Sequence, residues 1–408
     1  MMEPRDHRRN LLRIFSAGID AVKGDNAVYQ ALQAQGTQPA SHVIAIGKAA
    51  EAMYQGARRY FDGELKSALL ISKYGHYSSE LLADKQVIAL EAAHPVPAES
   101  SLQAGQALLE HLERLPAGEP CLVLISGGAS SVCEVLAEDW SLADLQQLTR
   151  ELLADGYDIH AMNAIRQRLS RIKGGKLWHF LGQRPVQALL ISDVQGDEPA
   201  SIGSGLLFPP DPHEQHFPDD LPTHWQQRLP PVGTIHVPDS FQWQIVASNQ
   251  LALAAMQQRA SILGYDVAIV ERFLAGQAVQ EAHFCLAELA SSQREMLLWG
   301  GETTVFLPEN PGRGGRNQHF ALSAANALPP DSAVLLLAGG TDGSDGLSDD
   351  AGAMVDAQTV PRGELAGLDA MACLRQANAG VFLEASGDLI HTGPTGTNVM
   401  DVVIGLKQ

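Results

Sequence analysis

Residues 42–61, HVIAIGKAAEAMYQGARRYF, carry the pattern that decides the fold. A short apolar run typical of a β-strand, HVIAIG, ends at a glycine, and the helical pattern AAEAMYQGARRYF follows it almost at once. Strand, glycine loop and helix in this order are the repeating unit of α/β proteins with parallel strands. The stretch therefore predicts an α/β fold.

The same alternation continues on both sides of a proline-rich segment. Apolar runs precede the segment as SALLIS, QVIAL, CLVLIS and QALLIS, and follow it as WQIVAS, DVAIV, EMLLWGG, TTVFL and AVLLLAGG. The segment, residues 207–240, holds eight of the chain's 22 prolines, too many for a continuous helix or a central strand. We expect two α/β/α domains, residues 1–235 and 236–408, with mainly parallel sheets.

Length and charge narrow the classes of function. A chain of 408 residues, of which 45% are hydrophobic, can bury two cores. Its formal net charge of −19 repels nucleic acid and anionic membrane surfaces, so neither is expected as a partner. An anionic ligand has to be held by a local positive charge, which makes each Lys or Arg beside a glycine loop a candidate.

Other sequence signals argue against several classes of protein. The four cysteines lie far apart, which favours reduced thiols in the cytoplasm over disulfides or a zinc site. Charged residues interrupt the N-terminal segment, and no apolar run reaches membrane-spanning length. No strand–helix junction supplies GxGxxG, which argues against a nicotinamide-dependent dehydrogenase. We therefore expect a cytoplasmic protein with a different chemistry.

Lys48 follows the run HVIAIG and precedes a helix. A lysine there is poorly matched to the positive end of the helix dipole, unless a phosphate or carboxylate lies between its ammonium group and the helix N–H groups. The segment is not a Walker loop, because Ala49 stands where Ser or Thr would bind magnesium. Lys48 is a candidate anion-binding residue, and a solvated lysine is the alternative.

Two further strand ends in the first half carry small or acidic residues. The first is a turn made of Ser126, Gly127, Gly128, Ala129 and Ser130. The backbone N–H groups of such a turn can approach an anion closely. The second places Asp193 at a strand end and Asp197 four residues later, where carboxylates can hold a divalent metal or accept a hydroxyl proton. A tight turn without a ligand and a helix-capping aspartate are the alternatives.

Positive charge is concentrated in one segment of the first half and recurs at one position in the second. The segment NAIRQRLSRIKGGKL contains Asn163, Arg166, Arg168, Arg171, Lys173 and Lys176. Its alternative interpretation is a solvated helix face. Arg316, followed by Asn317, lies between a glycine-rich loop and a helix and repeats the dipole mismatch of Lys48. Glu302, after another apolar run, is placed to orient an arginine or a metal.

The segment AGGTDGSDGLSDDAGAMVD, residues 338–356, places five aspartates after an apolar run. Asp342 and Asp345 are three residues apart and follow a strand, which does not match the alternate ligand spacing of an EF-hand. Together with Gly340 they lie nearest the strand end, where they could hold magnesium or bind a nucleotide. The later aspartates are expected to cap helices or to be solvated.

In their order along the chain, these segments resemble the type-2 glycerate kinase family, also called the glycerate 2-kinase family, whose relatives are often labelled hydroxypyruvate reductases. The motifs that carry the resemblance are AIGKAA, ISGGASS, IKGGKL, ISDVQGDEPASIGSG, GGETTV, GGRNQ, AGGTDGSDG, DDAGAMVD and TGPTGTNVMD. The resemblance implies a larger N-terminal Rossmann-like domain, a smaller C-terminal α/β domain and an active site in the cleft between them.

The reaction that the resemblance implies is transfer of the γ-phosphoryl group of ATP to the 2-hydroxyl of D-glycerate, with Mg²⁺, giving 2-phosphoglycerate and ADP. Lys48 and Arg316 match the family's key lysine and arginine, and they are expected to bind phosphate or the glycerate carboxylate. Asp193 is expected to act as general base or metal ligand, with Asp197 in support. The remaining candidates for binding substrate or nucleotide are Ser126, Gly127, Gly128, Ala129, Ser130, Asn163, Arg168, Lys173, Glu302, Asn317, Gly340, Asp342, Asp345, Thr395 and Asn398.

Three activities stay open at this point. An ATP-dependent kinase acting on D-glycerate, or on a related small hydroxy acid, is favoured. The alternative is an NAD(P)H-dependent hydroxypyruvate reductase in tartrate and glycerate metabolism, and the third is a non-catalytic protein that binds small acids. The expected partners are a small-molecule substrate and a nucleotide. A homodimer is a further expectation.

Overall fold

A computed structural model describes residues 6–35, 41–157, 159–211, 221–231 and 233–407. The chain forms two compact units. The inserted unit is Gly24–Val246, and the composite unit combines the residues up to Lys23 with those from Ala247 onward. These ranges differ from the expected 1–235 and 236–408, because the first helix packs with C-terminal residues. The proline-rich segment is described only in part, since residues 212–220 and 232 lie outside the described ranges.

The strands of the inserted unit are β1 (His42–Ile46), β2 (Ser67–Lys73), β3 (Val87–Ala92), β4 (Cys121–Ile125), β5 (Val186–Ile191) and β6 (Gln242–Ala247), the last of which reaches one residue beyond it. Those of the composite unit are β7 (Val267–Ile269), β8 (Leu274–Gln277), β9 (Met296–Thr304), β10 (Val334–Gly340), β11 (Gly352–Asp356), β12 (Leu389–Ile390) and β13 (Asp401–Lys407).

The helices up to the end of the inserted unit are α1 (His7–Val22), α2 (Gly24–Gln35), α3 (Ala50–Phe61), α4 (Ser79–Leu82), α5 (Glu99–Arg114), α6 (Ala129–Val132), α7 (Leu142–Ala154), α8 (Ile159–Leu169), α9 (Trp178–Leu181) and α10 (Thr223–Gln226). Those that follow are α11 (Asn249–Ile262), α12 (Ala278–Ser291), α13 (Arg316–Ala327), α14 (Thr359–Leu365), α15 (Ala370–Arg375) and α16 (Ala379–Ser386).

The sheet of the inserted unit has the strand order β3-β2-β1-β4-β5-β6. β1 pairs in parallel with both β2 and β4, and β2–β3 and β4–β5 are also parallel. Both faces are covered, since Ile44 and Ile46 join the core cluster of α5 and α9 while Val43 and Ala45 are equally buried. The strand order reverses between β1 and β4, the point where open α/β sheets bind their ligands.

The sheet of the composite unit is mixed, with the order β12-β11-β10-β13-β9-β7 and β8 paired to β9. β7 and β8 run parallel to β9, whereas β10 is antiparallel to β11 and β13, and β13 is antiparallel to β9. The expectation of mainly parallel sheets was therefore wrong here. β10 and β11 are joined by a loop without a helix, and parallel neighbours need a longer crossover.

Helices cover both faces of this second sheet. Leu335 and Leu337 of β10 face a cluster that includes α1 and α11, whereas Leu336 and Ala338 face a cluster that includes α12, α13 and α16. The alternation follows from the two-residue period of a β-strand. The composite unit is thus an α/β/α sandwich to which α1 contributes one outer helix.

None of the helices in the described ranges combines the length with the apolar character that a bilayer crossing requires. All four cysteines are buried and free. Burial raises the pKa of Cys121 and Cys133 to about 12, which is typical of unreactive core thiols.

Candidate active site

The loops that follow β1 and β4 form one tightly connected element. Gly47 has a φ of +123°, and a Cβ added there would lie 2.4 Å from the carbonyl oxygen of Ser126, so a side chain has no room. Lys48 N donates to Gly127 O at 2.9 Å, and Ala49 N donates to Ser126 Oγ at 3.0 Å. The Ser126–Ser130 turn and the Lys48 loop are therefore held together where the strand order reverses.

Lys48 lies over the glycine turn. A Cβ added to Gly128, whose φ is +82°, would meet Lys48 Cγ at 3.2 Å and His94 Cδ2 at 3.1 Å. The Lys48 side chain is half-buried, and no oxygen of the described residues lies within hydrogen-bonding distance of its ammonium group. Its charge is available to a ligand, which keeps the predicted role in anion binding open.

A cavity of about 340 Å³ lies beside this turn. Its wall contains His94, Pro95, Pro97, Gly128, Ser130, Ser131, Glu134, Leu145, Thr149, Arg166, Lys173 and Asp193. Ser130 Oγ lies 2.8 Å from Ser204 Oγ, so its hydroxyl is partly engaged within the protein. The cavity brings together four sequence-predicted residues, namely Gly128, Ser130, Lys173 and Asp193.

A buried ion pair supports one side of this cavity. The side chains of Lys173 and Glu134 are 1% and 2% exposed and in contact through Nζ and Oε2. Lys173 Nζ also donates to the carbonyl oxygen of Ser130 at 2.7 Å. The charge of Lys173 is thus neutralised by Glu134, and its ammonium group holds the Ser126–Ser130 turn in place. No unpaired charge is left on Lys173 for the predicted contact with substrate.

The other predicted residues of α8 differ in their surroundings. Asn163 is half-buried and lies one turn before Arg166. Arg168 Nε donates to Pro230 O at 2.9 Å, and this side chain lines a separate cavity of about 420 Å³ with Lys176. Arg168 therefore does not share the cavity of Lys173 and Asp193.

Asp193 and Asp197 follow β5 and are both half-buried. Asp197 has a φ of +55° and ends a short turn whose Gly196 is also left-handed. Across the described residues, no three His, Cys, Asp or Glu side chains assemble into a metal site. The two carboxylates remain the predicted metal ligands.

Arg316, in the composite unit, is the first residue of α13. Its Nε and Nη2 bind the Asp401 carboxylate at 2.5 and 3.0 Å, and Nη1 lies 2.7 Å from Glu302 Oε1. Burial opposes its charge, but these carboxylates hold the pKa of Arg316 above its usual value. The anion that the dipole mismatch predicts is here provided by the protein itself.

Asp345 caps the same helix. Its two carboxylate oxygens accept from Asn317 N at 3.0 Å and Gln318 N at 2.8 Å, which satisfies N–H groups that a helix end leaves without partners. Burial raises the pKa of Asp345 to about 7, against the effect of these hydrogen bonds. A Cβ on Gly315 would lie 2.3 Å from the Asp345 carboxyl carbon, so the preceding glycine is needed for the contact.

The remaining candidates of this unit lie in interlocked loops. Gly340 N donates to Ala351 O at 2.8 Å, and Asp342 Oδ1 accepts from Ser344 N at 3.0 Å. Thr395 Oγ1 donates to Thr341 O at 2.6 Å. Asn398 is buried and its Oδ1 accepts weakly from Met400 N at 3.4 Å.

Sequence reasoning missed Asp401 as a site residue. It begins β13, opposite Gly301 of β9 and Gly340 of β10. Because β13 is antiparallel to both, its first residue lies beside the last residue of β10 and three residues before the end of β9. Asp401 closes the motif TGPTGTNVMD, which was the available signal. Arg166, Glu134 and His94 were likewise not among the predicted site residues, although Arg166 belongs to the basic segment.

Family models and relatives of known name match this chain along most or all of its length. Residues 10–223 match a family described as a domain of unknown function, DUF4147, and residues 295–401 match the MOFRL family. The chain is 32% identical to a D-glycerate 2-kinase of Thermotoga maritima, with 100% of both chains covered. It is 34% identical to a glycerate 2-kinase of Pyrococcus horikoshii, covering 90% of this chain and 87% of the relative.

A solved structure is similar as well. The crystal structure of a glycerate kinase from Thermotoga maritima superposes with a TM-score of 0.86 at 30% identity, covering 99% of this chain and 100% of that one. The α/β architecture with a parallel and a mixed sheet is thereby confirmed.

Proposed function

The chain belongs to the glycerate 2-kinase family, and on that premise we propose that it transfers the γ-phosphoryl group of ATP to the 2-hydroxyl of D-glycerate. The observation that carries the proposal is the position of Lys48, whose backbone N–H donates to Gly127 O at 2.9 Å and whose Cγ lies 3.2 Å from where a Cβ on Gly128 would stand. Phosphoryl transfer depends mainly on positioning and on neutralising phosphate charge. A cation without an internal partner among the described residues, beside a turn that can offer backbone N–H groups, supports that chemistry.

Each residue of this cluster has a proposed task. Lys48 binds phosphate oxygens and neutralises the charge that shifts during transfer. Within the turn, Ser126 N and Ala129 N donate to Ile46 O and Ser126 O, so the N–H groups of Gly127, Gly128 and Ser130 are the ones offered to an anion. Asp193 accepts the proton of the attacking 2-hydroxyl as general base. The products are 2-phosphoglycerate and ADP, with the proton carried away from Asp193 by solvent.

Magnesium enters this proposal as part of the nucleotide substrate. Mg²⁺ keeps several waters and uses one or two carboxylates in addition to phosphate oxygens. Asp197 fits that requirement in donor type and is the proposed ligand, since Asp193 serves as the general base. When bound, the ion would neutralise phosphate charge.

The reaction is tested by incubating the protein with D-glycerate, ATP and Mg²⁺. We expect ADP to form in proportion to a phosphate ester on carbon 2, which ³¹P and ¹³C NMR distinguish from an ester on carbon 3. L-Glycerate and tartronate serve as matched acceptors. Consumption of NADH with hydroxypyruvate and no release of ADP would instead establish the reductase.

Arg316→Ala is expected to reduce both turnover and stability. Asp401 is 3% exposed, and losing its bidentate partner leaves a buried carboxylate unpaired, which costs about 1–3 kcal/mol. Urea unfolding and steady-state kinetics measure the two effects. The double variant Arg316→Ala/Asp401→Asn should regain stability but not turnover. Normal turnover in Arg316→Ala would contradict the expectation that this arginine binds phosphate or the glycerate carboxylate.

A further inference from the structure

Arg166 differs from the other basic residues of its segment. Four of the five have partners, as Arg168 donates to Pro230 O, Arg171 lies over the ring of Phe180, Lys173 pairs with Glu134, and Lys176 donates to backbone carbonyl oxygens. No oxygen in the described ranges lies within hydrogen-bonding or ion-pairing distance of the Arg166 guanidinium group. Its donors are therefore left for a ligand.

Because Arg166 is partly buried, leaving the N–H donors of its guanidinium group without acceptors is energetically unfavourable. The residue is half-buried on α8 and lines the cavity of about 340 Å³. Burial lowers the pKa of Arg166, and Glu134 opposes that effect only through space. A partly desolvated guanidinium gains most from a planar anion that accepts two parallel hydrogen bonds.

The other side chains that line the cavity indicate what kind of ligand it can bind. Ser131 Oγ donates to Gly128 O at 3.0 Å and Thr149 Oγ1 donates to Leu145 O at 2.7 Å, so both oxygens are left to accept from a ligand hydroxyl. The volume is at the lower end of ligand pockets, which start at about 300 Å³. A small acid with hydroxyl groups fits this wall better than a whole nucleotide.

We propose that Arg166 binds the carboxylate of the hydroxy-acid substrate and so gives the enzyme its preference for acids over uncharged polyols. The identity of that acid as glycerate rests on the proposed function. The same guanidinium would also suit an ATP phosphate, and the kinetic test separates these two sources of negative charge.

The test compares Arg166→Gln and Arg166→Lys with Arg171→Gln, which removes an exposed arginine of the same segment outside the cavity. Arg166→Gln should raise the KM for D-glycerate on the order of 10- to 100-fold, the effect of one lost charged hydrogen-bonding contact. The KM for D-glycerate of Arg166→Lys should lie between those of the wild type and Arg166→Gln, because lysine keeps the charge but lacks the two parallel N–H donors of the guanidinium group. The KM for ATP should change less than about twofold, and Arg171→Gln should match the wild type.

Comparing D-glycerate with glycerol as acceptors adds a measurement, the ratio of their kcat/KM values, that a general structural defect would not change. The ratio of kcat/KM for D-glycerate to that for glycerol should fall in Arg166→Gln. A raised KM for ATP with an unchanged KM for glycerate would overturn the proposal in favour of phosphate binding. Unchanged values for both substrates would overturn it as well.

Calorimetric titration of D-glycerate, with and without MgADP, distinguishes this inference from the proposed function. Binding that is lost in Arg166→Gln, in a protein that makes no ADP, would refute the kinase and retain the carboxylate site. ADP formation together with equal glycerate affinity in both proteins would retain the kinase and refute the site. No glycerate binding by the wild type under either condition would refute the site.

Discussion

Replacing Lys48 by alanine is expected to lower kcat/KM for D-glycerate phosphorylation on the order of 100- to 1,000-fold, the usual effect of removing one preorganised charge-stabilising group. Because the ammonium group has no partner among the described residues, its removal leaves no buried charge behind. The free energy of unfolding should therefore change by less than about 1 kcal/mol. Lys48 thus differs from Arg316, whose loss should affect both properties.

Two companion variants sharpen this test. Lys48→Met keeps most of the aliphatic stem over Gly128 and should be as inactive as Lys48→Ala, which would assign the effect to charge and not to packing. Lys85→Met removes an exposed lysine of the same unit and should behave as the wild type. Turnover within about threefold of the wild type in Lys48→Met would refute the role, since that corresponds to less than about 1 kcal/mol.

Glu134→Ala is expected to destabilise the protein by about 3–5 kcal/mol, the range measured when one partner of a buried ion pair is removed. Lys173 is 1% exposed, so its charge would lose its carboxylate partner at a buried position. The Ser130 carbonyl that it binds would be its remaining acceptor. Urea unfolding monitored by circular dichroism measures the loss.

Two control variants distinguish the effect of breaking the buried ion pair from the effect of removing an exposed one. Glu134→Leu combined with Lys173→Met replaces both charges by apolar groups of similar size and should recover most of the lost stability. Glu110→Ala breaks an exposed pair with Arg114 and should cost less than about 1 kcal/mol. A Glu134→Ala variant as stable as Glu110→Ala would contradict the assigned importance of the buried pair.

The first half of the fold was predictable because its central strands, β1, β2, β4 and β5, are buried on both faces, and the partly exposed edge strand β3 is still an apolar run. HVIAIG, SALLIS, QVIAL, CLVLIS and QALLIS correspond to β1 to β5, since a doubly covered parallel strand is a continuous apolar run. The carboxyl ends of neighbouring parallel strands meet at one edge of a sheet, so Lys48 and the Ser126–Ser130 turn, which both follow such strands, lie close together. Their catalytic roles stay predictions.

The second half was harder to predict because its contacts are not local. EMLLWGG and TTVFL were treated as separate runs, but β9 continues through Met296–Thr304. Gly300 is a glycine because Asn249 Oδ1 lies 1.7 Å from the position of its Cβ, not because the chain turns there. Close packing and a turn select the same residue type, and the sequence alone does not separate them.

Arg316 shows the same limit within the site. The mismatch with the helix dipole favoured an anionic partner, and the structure pairs Arg316 with Asp401, which lies 85 residues away in sequence. Its closeness depends on β13 running antiparallel to β9 and β10. The direction of a strand is set by its connections, so no local pattern could distinguish a bound ligand from the protein's own carboxylate.

The helix α1 gives the chain an unusual order of assembly. Leu11, Ile14 and Phe15 pack in one cluster with α11, β10 and β13, and a Cβ on Gly18 would lie 2.6 Å from Met256 Cγ. During translation α1 leaves the ribosome long before β13. Domains generally fold as they emerge, so the inserted unit can fold while the apolar face of α1 still waits for its partners. Completion of the composite unit therefore waits until β13 has been synthesised, and a chain that stops before β13 leaves the apolar face of this helix without that partner.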